Sequence, residues 1–130
     1  MAERELQVTG VLSAYATTAV LDGNVMPKTY YAKAHLGSPG PAGSANFAGE
    51  SRRMTLTFGA AVANEMMNST AFRLNEAAAT EDWTHLSLWD SVTAGNVWWI
   101  VPLSPPLAVE VFQAVYLDIG TITLGLDVVI

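Results

Sequence analysis

The chain has two histidines, His35 and His85, and no cysteine among 130 residues. Glu81, Asp82 and His85 are close enough in sequence to offer two oxygens and one nitrogen to a metal ion. The same three residues also suit a solvated turn leading into a strand. As an acid/base pair, Glu81 and Asp82 are adjacent, so an extended backbone sends them to opposite faces. Serine, histidine and aspartate are all present, yet no Gly-x-Ser-x-Gly elbow raises a nucleophile. The glycines of residues 37–49 lack the Lys-Ser/Thr that closes a phosphate-binding loop. Without cysteine there is no disulfide framework, thiolate zinc site or cysteine nucleophile. The residues therefore name no catalytic group, metal or cofactor, and the expectation is a protein that is not an enzyme.

Tryptophan carries more information. Trp83, Trp89, Trp98 and Trp99 fall within one short region. Trp98 and Trp99 are neighbours in an apolar run, so on a strand they face opposite ways. Trp83 and Trp99 read best as core. Trp89 and Trp98 suit either core or a contact surface, where tryptophan is enriched and where it also stacks on sugar rings. His85, opposite Leu86 and Leu88, shares that contact face. With Tyr31, which alternates with Lys33 on the polar side of its strand, these form the candidate interface: Trp89, Trp98, His85 and Tyr31.

The elements that would position them have a period of two. Residues 29–36 set Tyr31, Lys33 and His35 against Tyr30, Ala32, Ala34 and Leu36. Residues 52–58 turn Met54, Leu56 and Phe58 inward. Phe72 and Leu74 oppose Arg73, and Leu86 and Leu88 oppose His85, Ser87 and Trp89. Such alternation marks half-buried strands. Residues 96–101 are apolar on both faces, as in a covered central strand. The alternation is less clean in 107–118 and clear at Ile122, Leu124, Leu126, Val128 and Ile130. Turns separate these runs: Asp22-Gly23-Asn24, the Gly/Pro-rich stretch 37–49, Asp90 to Asn96, and Ser104-Pro105-Pro106, which is expected to end a strand. Residues 60–67 and 75–80 have the propensity for short helical turns.

Apolar residues make up 51% and charged residues 14%, which is unlike a disordered acidic chain. The net charge of −6 leaves no basic footprint for nucleic acid. The start of the chain does not read as a secretory signal, and no run approaches the roughly 18 apolar residues of a membrane span. A soluble chain with no membrane partner is expected. The fold expected is all-β: a single-domain antiparallel β-sandwich, jelly-roll-like, over residues 26–130, with residues 1–25 as an N-terminal arm or added strand.

Residues 82–96 carry a resemblance. Asp82-Trp83, Thr84-His85, Leu88-Trp89-Asp90 and Gly95-Asn96 resemble a segment of the form Asp-Trp…Thr-His…Ile-Phe-Asp…Gly-Asn. It is found in small tailed-bacteriophage virion proteins of the tail-fibre, minor tail and head-decoration-like kind. Met54-Thr55-Leu56-Thr57-Phe58 and Asn68-Ser69-Thr70-Ala71-Phe72 follow in the same order as strands of that family. The similarity covers roughly residues 28–127. The chain lacks the family's glycine after Trp83 and a second glycine shortly before Leu88, and residues 1–25 have no counterpart.

The resemblance implies a β-sandwich and a structural role in the virion without enzymatic activity. Two places compete. Decoration and stabilisation of the capsid is favoured slightly, because no coiled coil, shaft repeat or second domain is evident. The alternative is a tail-fibre or minor tail protein that helps bind a host-surface glycan or receptor. The expected partners are copies of itself, with a trimer suiting either place, and the major capsid protein or tail proteins. The expected location is the particle surface, after synthesis in the host cytoplasm.

Overall fold

Alternating burial organises the chain into strands. The protein is described here by a computed structural model covering residues 2–4, 8–23, 25–62 and 65–125, with side chains from Gly10 onward. The elements in order are β1 (Ala2–Arg4), β2 (Val8–Leu12), α1 (Ala14–Leu21), β3 (Thr29–His35), β4 (Met54–Thr57) and β5 (Glu65–Met67). They continue with β6 (Phe72–Leu74), β7 (Glu81–Trp89), β8 (Val97–Val109), β9 (Val115–Leu117) and β10 (Ile122–Gly125). Among the described residues, one sheet runs β4-β3-β7-β8-β2-β10-β5 and a smaller one runs β1-β9-β6. The fold is all-β and sandwich-like, a single domain.

The core follows the predicted faces. Tyr30, Ala32 and Ala34 of β3, Met54 and Leu56 of β4, and Leu86 and Leu88 of β7 are buried. Phe72 meets Trp83 edge-on at 6.4 Å, which joins the smaller sheet to the larger one. Trp99 donates its indole N–H to the Tyr30 hydroxyl, so both polar tips are satisfied inside the core. Val97 to Val101 are all buried, as the apolar run requires.

The structure differs from the expectations in four places. Two strand pairs, β1–β9 and β10–β2, are parallel, so the sheets are mixed. Each joins an N-terminal strand to a C-terminal one, and no hairpin imposes antiparallel pairing across that distance. β8 does not stop at Ser104-Pro105-Pro106 but continues to Val109. Its other neighbour, β2, pairs only with Trp99 and Ile100. Pro105 and Pro106 lie beyond the β2 pairing and, on the β7 side, in the register break between His85–Pro102 and Trp83–Leu107, so neither edge needs their ladder donors. Residues 65–67 of the expected helical turn form β5 on β10, and residues 75–80 hold no helix. The helix is instead α1, whose Ser13 cap accepts from the Ala16 N–H.

Residues 1–25 contribute β1, β2 and α1, with β2 placed between β8 and β10. Gly10 permits this: a Cβ there would lie 2.7 Å from the Leu124 side chain. The Leu126, Val128 and Ile130 positions of the final alternation lie outside the described residues, as do Met1, Asn24, Ala63 and Asn64. No helix among the described residues is long and apolar enough to cross a membrane.

Candidate functional site

Three of the four candidate residues meet on the face of the large sheet that points away from the core. Register sets Tyr31 of β3 beside Trp89 of β7 and Thr55 of β4, Lys33 beside Ser87, and His35 beside His85. One step beyond the Ala32–Met54 pair, Arg53 comes alongside Lys33. Three of the four predicted interface residues, Tyr31, Trp89 and His85, are thus brought to one face and are partly exposed.

Trp98 is elsewhere. It is buried, its ring meets Tyr15 of α1 edge-on at 5.5 Å, and its indole donates to Asp90 Oδ2. A bulge between Leu88 and Trp89 breaks the simple alternation of β7 against β8 and gives Trp98 this place. Trp83 and Trp99 lie in the core.

A hydrogen-bond chain runs under the face. His35 Nδ1 lies 2.8 Å from the Ala45 carbonyl, so Nδ1 carries the proton and Nε2 accepts. The Ser87 hydroxyl donates to Nε2 at 2.7 Å and accepts from the Trp89 indole at 2.7 Å. Burial holds His35 below the ordinary histidine range, and the nearby Lys33 and His85 act in the same direction against the Ala45 carbonyl. His85, bonded through Nδ1 to Thr84 Oγ1, is also held down by burial. A serine 2.7 Å from a neutral histidine nitrogen has the distance of a nucleophile–base pair. Here both groups are fully buried and the serine oxygen already accepts from Trp89. The chain fixes the orientation of Trp89.

The stretch 37–49, legible only as a Gly/Pro-rich loop, folds back on its own sheet. The Leu36 N–H bonds to the Asn46 carbonyl, and Phe47 bridges to His35. The Phe47 ring sits 5.3 Å from the His35 ring, and Lys33 Nζ lies 4.9 Å above Phe47. On the other flank Arg53 stacks on Trp89 at 4.3 Å and donates from Nη1 to the Ser91 and Ala94 carbonyls. The result is a strip of aromatic rings interleaved with cations.

Glu81 and Asp82, weighed as metal ligands with His85, serve other ends. Glu81 accepts from the backbone of Gly49 and Glu50 and from the Trp83 indole. Asp82 is exposed on the opposite side of the strand. No cluster of metal-ligating side chains occurs among the described residues. Sequence reasoning missed Glu50, which is buried and takes two bonds from the Arg52 side chain, one from its N–H and one from the Ala78 N–H. The Arg52 bonds, opposed by burial, hold its carboxyl below the usual range. Arg52 stands only two residues away, but nothing local shows that Glu50 is buried against Ala78 of another segment.

A comparison with known families decides the identity. The family described as Podophage GP4 fiber I protein gp80 matches residues 11–125. The chain belongs to this phage fibre family. It is therefore a structural protein of a phage virion, in agreement with the resemblance at residues 82–96. No curated protein matches the chain.

The residues that carry the fibre-family resemblance are occupied in holding the fold. Asp90 Oδ1 accepts from the Asn96 N–H while Oδ2 takes the Trp98 indole. Gly95 has φ +76°, and a Cβ there would sit 2.5 Å from Asp90 Oδ1. Asn68, buried, donates to the Thr70 and Asp118 carbonyls and accepts from the Ile122 N–H. The aromatic strip is built beside these fixed points.

Proposed function

We propose that the protein is an external fibre component of the phage particle, assembled with copies of itself, that turns the Tyr31–Trp89 face toward the host surface. The observation that carries this reading is the match of residues 11–125 to a fibre family, which favours a fibre over capsid decoration. The geometry supports a contact role without a catalytic step. Trp89 is oriented by Ser87 and Arg53 yet stays partly exposed, as suits a preorganised anchor at a binding surface. The net charge of −6 argues against a nucleic-acid partner.

Disrupting the coding sequence in the phage tests this. The expected particles keep intact, DNA-filled heads, lack a fibre and attach poorly to host cells. Particles with complete fibres but fragile heads would overturn the fibre reading and assign the protein to the capsid surface.

A further inference from the structure

The chain carries Lys+Arg 6 against Asp+Glu 12, so cations are scarce. Two of them, Lys33 and Arg53, nevertheless stand side by side on the outer sheet face, with His35 and His85 next to them. Neither has a carboxylate partner among the described residues. The ion pair found there is Arg52 with Glu50, and it is a separate contact. Lys33 Nζ donates to the Ser51 carbonyl, and Arg53 donates only from Nη1, again to carbonyls.

The nearby acids are committed elsewhere. Glu50 is bound to Arg52, and Asp90 holds Asn96 and Trp98. Burial disfavours the charge on Lys33, and the neighbouring Arg53 guanidinium adds to that effect against the pull of Glu50. Glu50 and Asp90 act on Lys33 and Arg53 only without contact; two adjacent cations with no contacting carboxylate cost free energy in the free protein, and a bound anion relieves that cost.

The free donors have a shape. With both Nη1 hydrogens directed to carbonyls, Arg53 keeps its Nε–Nη2 edge, the fork that takes a carboxylate in two parallel bonds. Lys33 keeps two of its three N–H donors. Phe47, Trp89 and Tyr31 place aromatic rings on either side of this pair. Rings that stack on the apolar faces of sugars, set beside donors for a carboxylate, match a uronic-acid unit in both respects.

We propose that the outer face of β3, β4 and β7 binds a short acidic oligosaccharide, its carboxylate held by Arg53 and Lys33 and its sugar rings set against Trp89, Phe47 and Tyr31. A two-fold pairing with its axis at Lys33 and Arg53 would bring four cations together, which disfavours that arrangement. An extended phosphate backbone meets only two cations on a chain of net charge −6. The proposal rests on the fibre reading only for where the glycan is met.

The test uses the isolated full chain, so its outcome is separate from the protein's place on the particle. Trigalacturonate and triglucuronate are titrated against it while the Trp fluorescence is followed, with their methyl esters as uncharged counterparts. At least one acid is expected to bind, its ester about tenfold more weakly or worse, with affinity falling as salt rises. Lys33→Gln and Arg53→Gln should each weaken the acid about tenfold, whereas Arg73→Gln, on the smaller sheet, should not. Because Arg53 also holds the 91–94 turn, Lys33→Gln keeps the test decisive if Arg53→Gln misfolds. Equal binding of acid and ester, binding untouched by Lys33→Gln, or no binding of either acid would overturn the proposal. Self-association that Lys33→Gln dissolves would overturn it too and give the face to a second copy.

Discussion

Ser87 Oγ lies 2.7 Å from His35 Nε2, linking two strands whose residues are 52 positions apart. Register places Lys33, not His35, directly across from Ser87, so the bond is a diagonal one within the β3–β7 pair. It has two consequences. The histidine must stay neutral to accept from the hydroxyl, and the hydroxyl oxygen is left to receive the Trp89 indole. The partly exposed tryptophan is thus fixed by a buried histidine.

Protonation should loosen this arrangement. His35 and His85 are both held below their ordinary value of 6.5, chiefly by burial. The unfolded chain then binds more protons than the folded one once pH falls below that value. The histidine contribution to stability is complete above pH 6.5 and declines as pH drops toward the lower folded values. Thermal unfolding from about pH 7.5 to 5.5 should show a falling Tm, and His35→Gln should flatten that slope while lowering the plateau. A wild-type Tm that is level over this range, or a slope unchanged by His35→Gln, would contradict the assignment.

Glu50 and Arg52 should prove unequal partners. Glu50 is buried, whereas the Arg52 side chain is 55% exposed. Glu50→Ala strands the Arg52 and Ala78 N–H groups and should cost about 2–3 kcal/mol in chemical denaturation. Arg52→Ala removes the more exposed partner and leaves Glu50 its bonds from the Arg52 and Ala78 N–H groups, so it should cost less, about 1–2 kcal/mol. Similar losses from the two variants would show that the ion pair, rather than the backbone bonds, is what matters.

The turn between β7 and β8 depends on Gly95. Its φ of +76° and the 2.5 Å approach to Asp90 leave no place for a methyl group. Gly95→Ala should destabilise by about 1–3 kcal/mol and disturb the Trp98 indole that Asp90 holds, visible as a shifted indole resonance. An unchanged stability and spectrum would mean that the turn accepts another conformation.

Two tryptophans should separate stability from contact. Trp98→Ala opens a cavity beneath α1 and should cost about 3–5 kcal/mol. Trp89→Ala removes a partly exposed ring and should cost about 1–2 kcal/mol, leaving a folded protein with weakened host attachment. If Trp89→Ala retained full attachment, the face would have another role.

The sequence made some of this legible and not the rest, for physical reasons. Half-buried strands announce themselves by alternation, so the faces of residues 30–34, 52–58 and 84–89 could be read directly; at the end of β3 the alternation fails, because the 37–49 stretch covers His35 and leaves Leu36 exposed. α1 could not, because only Ala16 and Ala19 are buried and its surface carries no apolar stripe. The passage of β8 through three prolines depends on which neighbour ends where, a tertiary fact. Tyr31, Trp89 and His85 alternate out of the core as the period of two implies, while Trp98, for which core and contact surface both stood open, is buried beside a bulge that shifts its register. Lys33, Arg53 and Phe47 went unweighed, since their partners come from distant segments, and Glu50 because its burial against Ala78 is not written in its neighbours. The most recognisable residues, Asp90, Gly95 and Asn96, keep the fold and say nothing about what the fibre touches.

The most direct measurement is a cryo-electron microscopy reconstruction of the intact phage particle, with antibody against this chain marking its position. Label and matching β-rich density are expected on a fibre outside the head, with the Tyr31–Trp89 face turned outward. Density at repeated positions on the head lattice, with fibres unlabelled, would contradict the fibre reading.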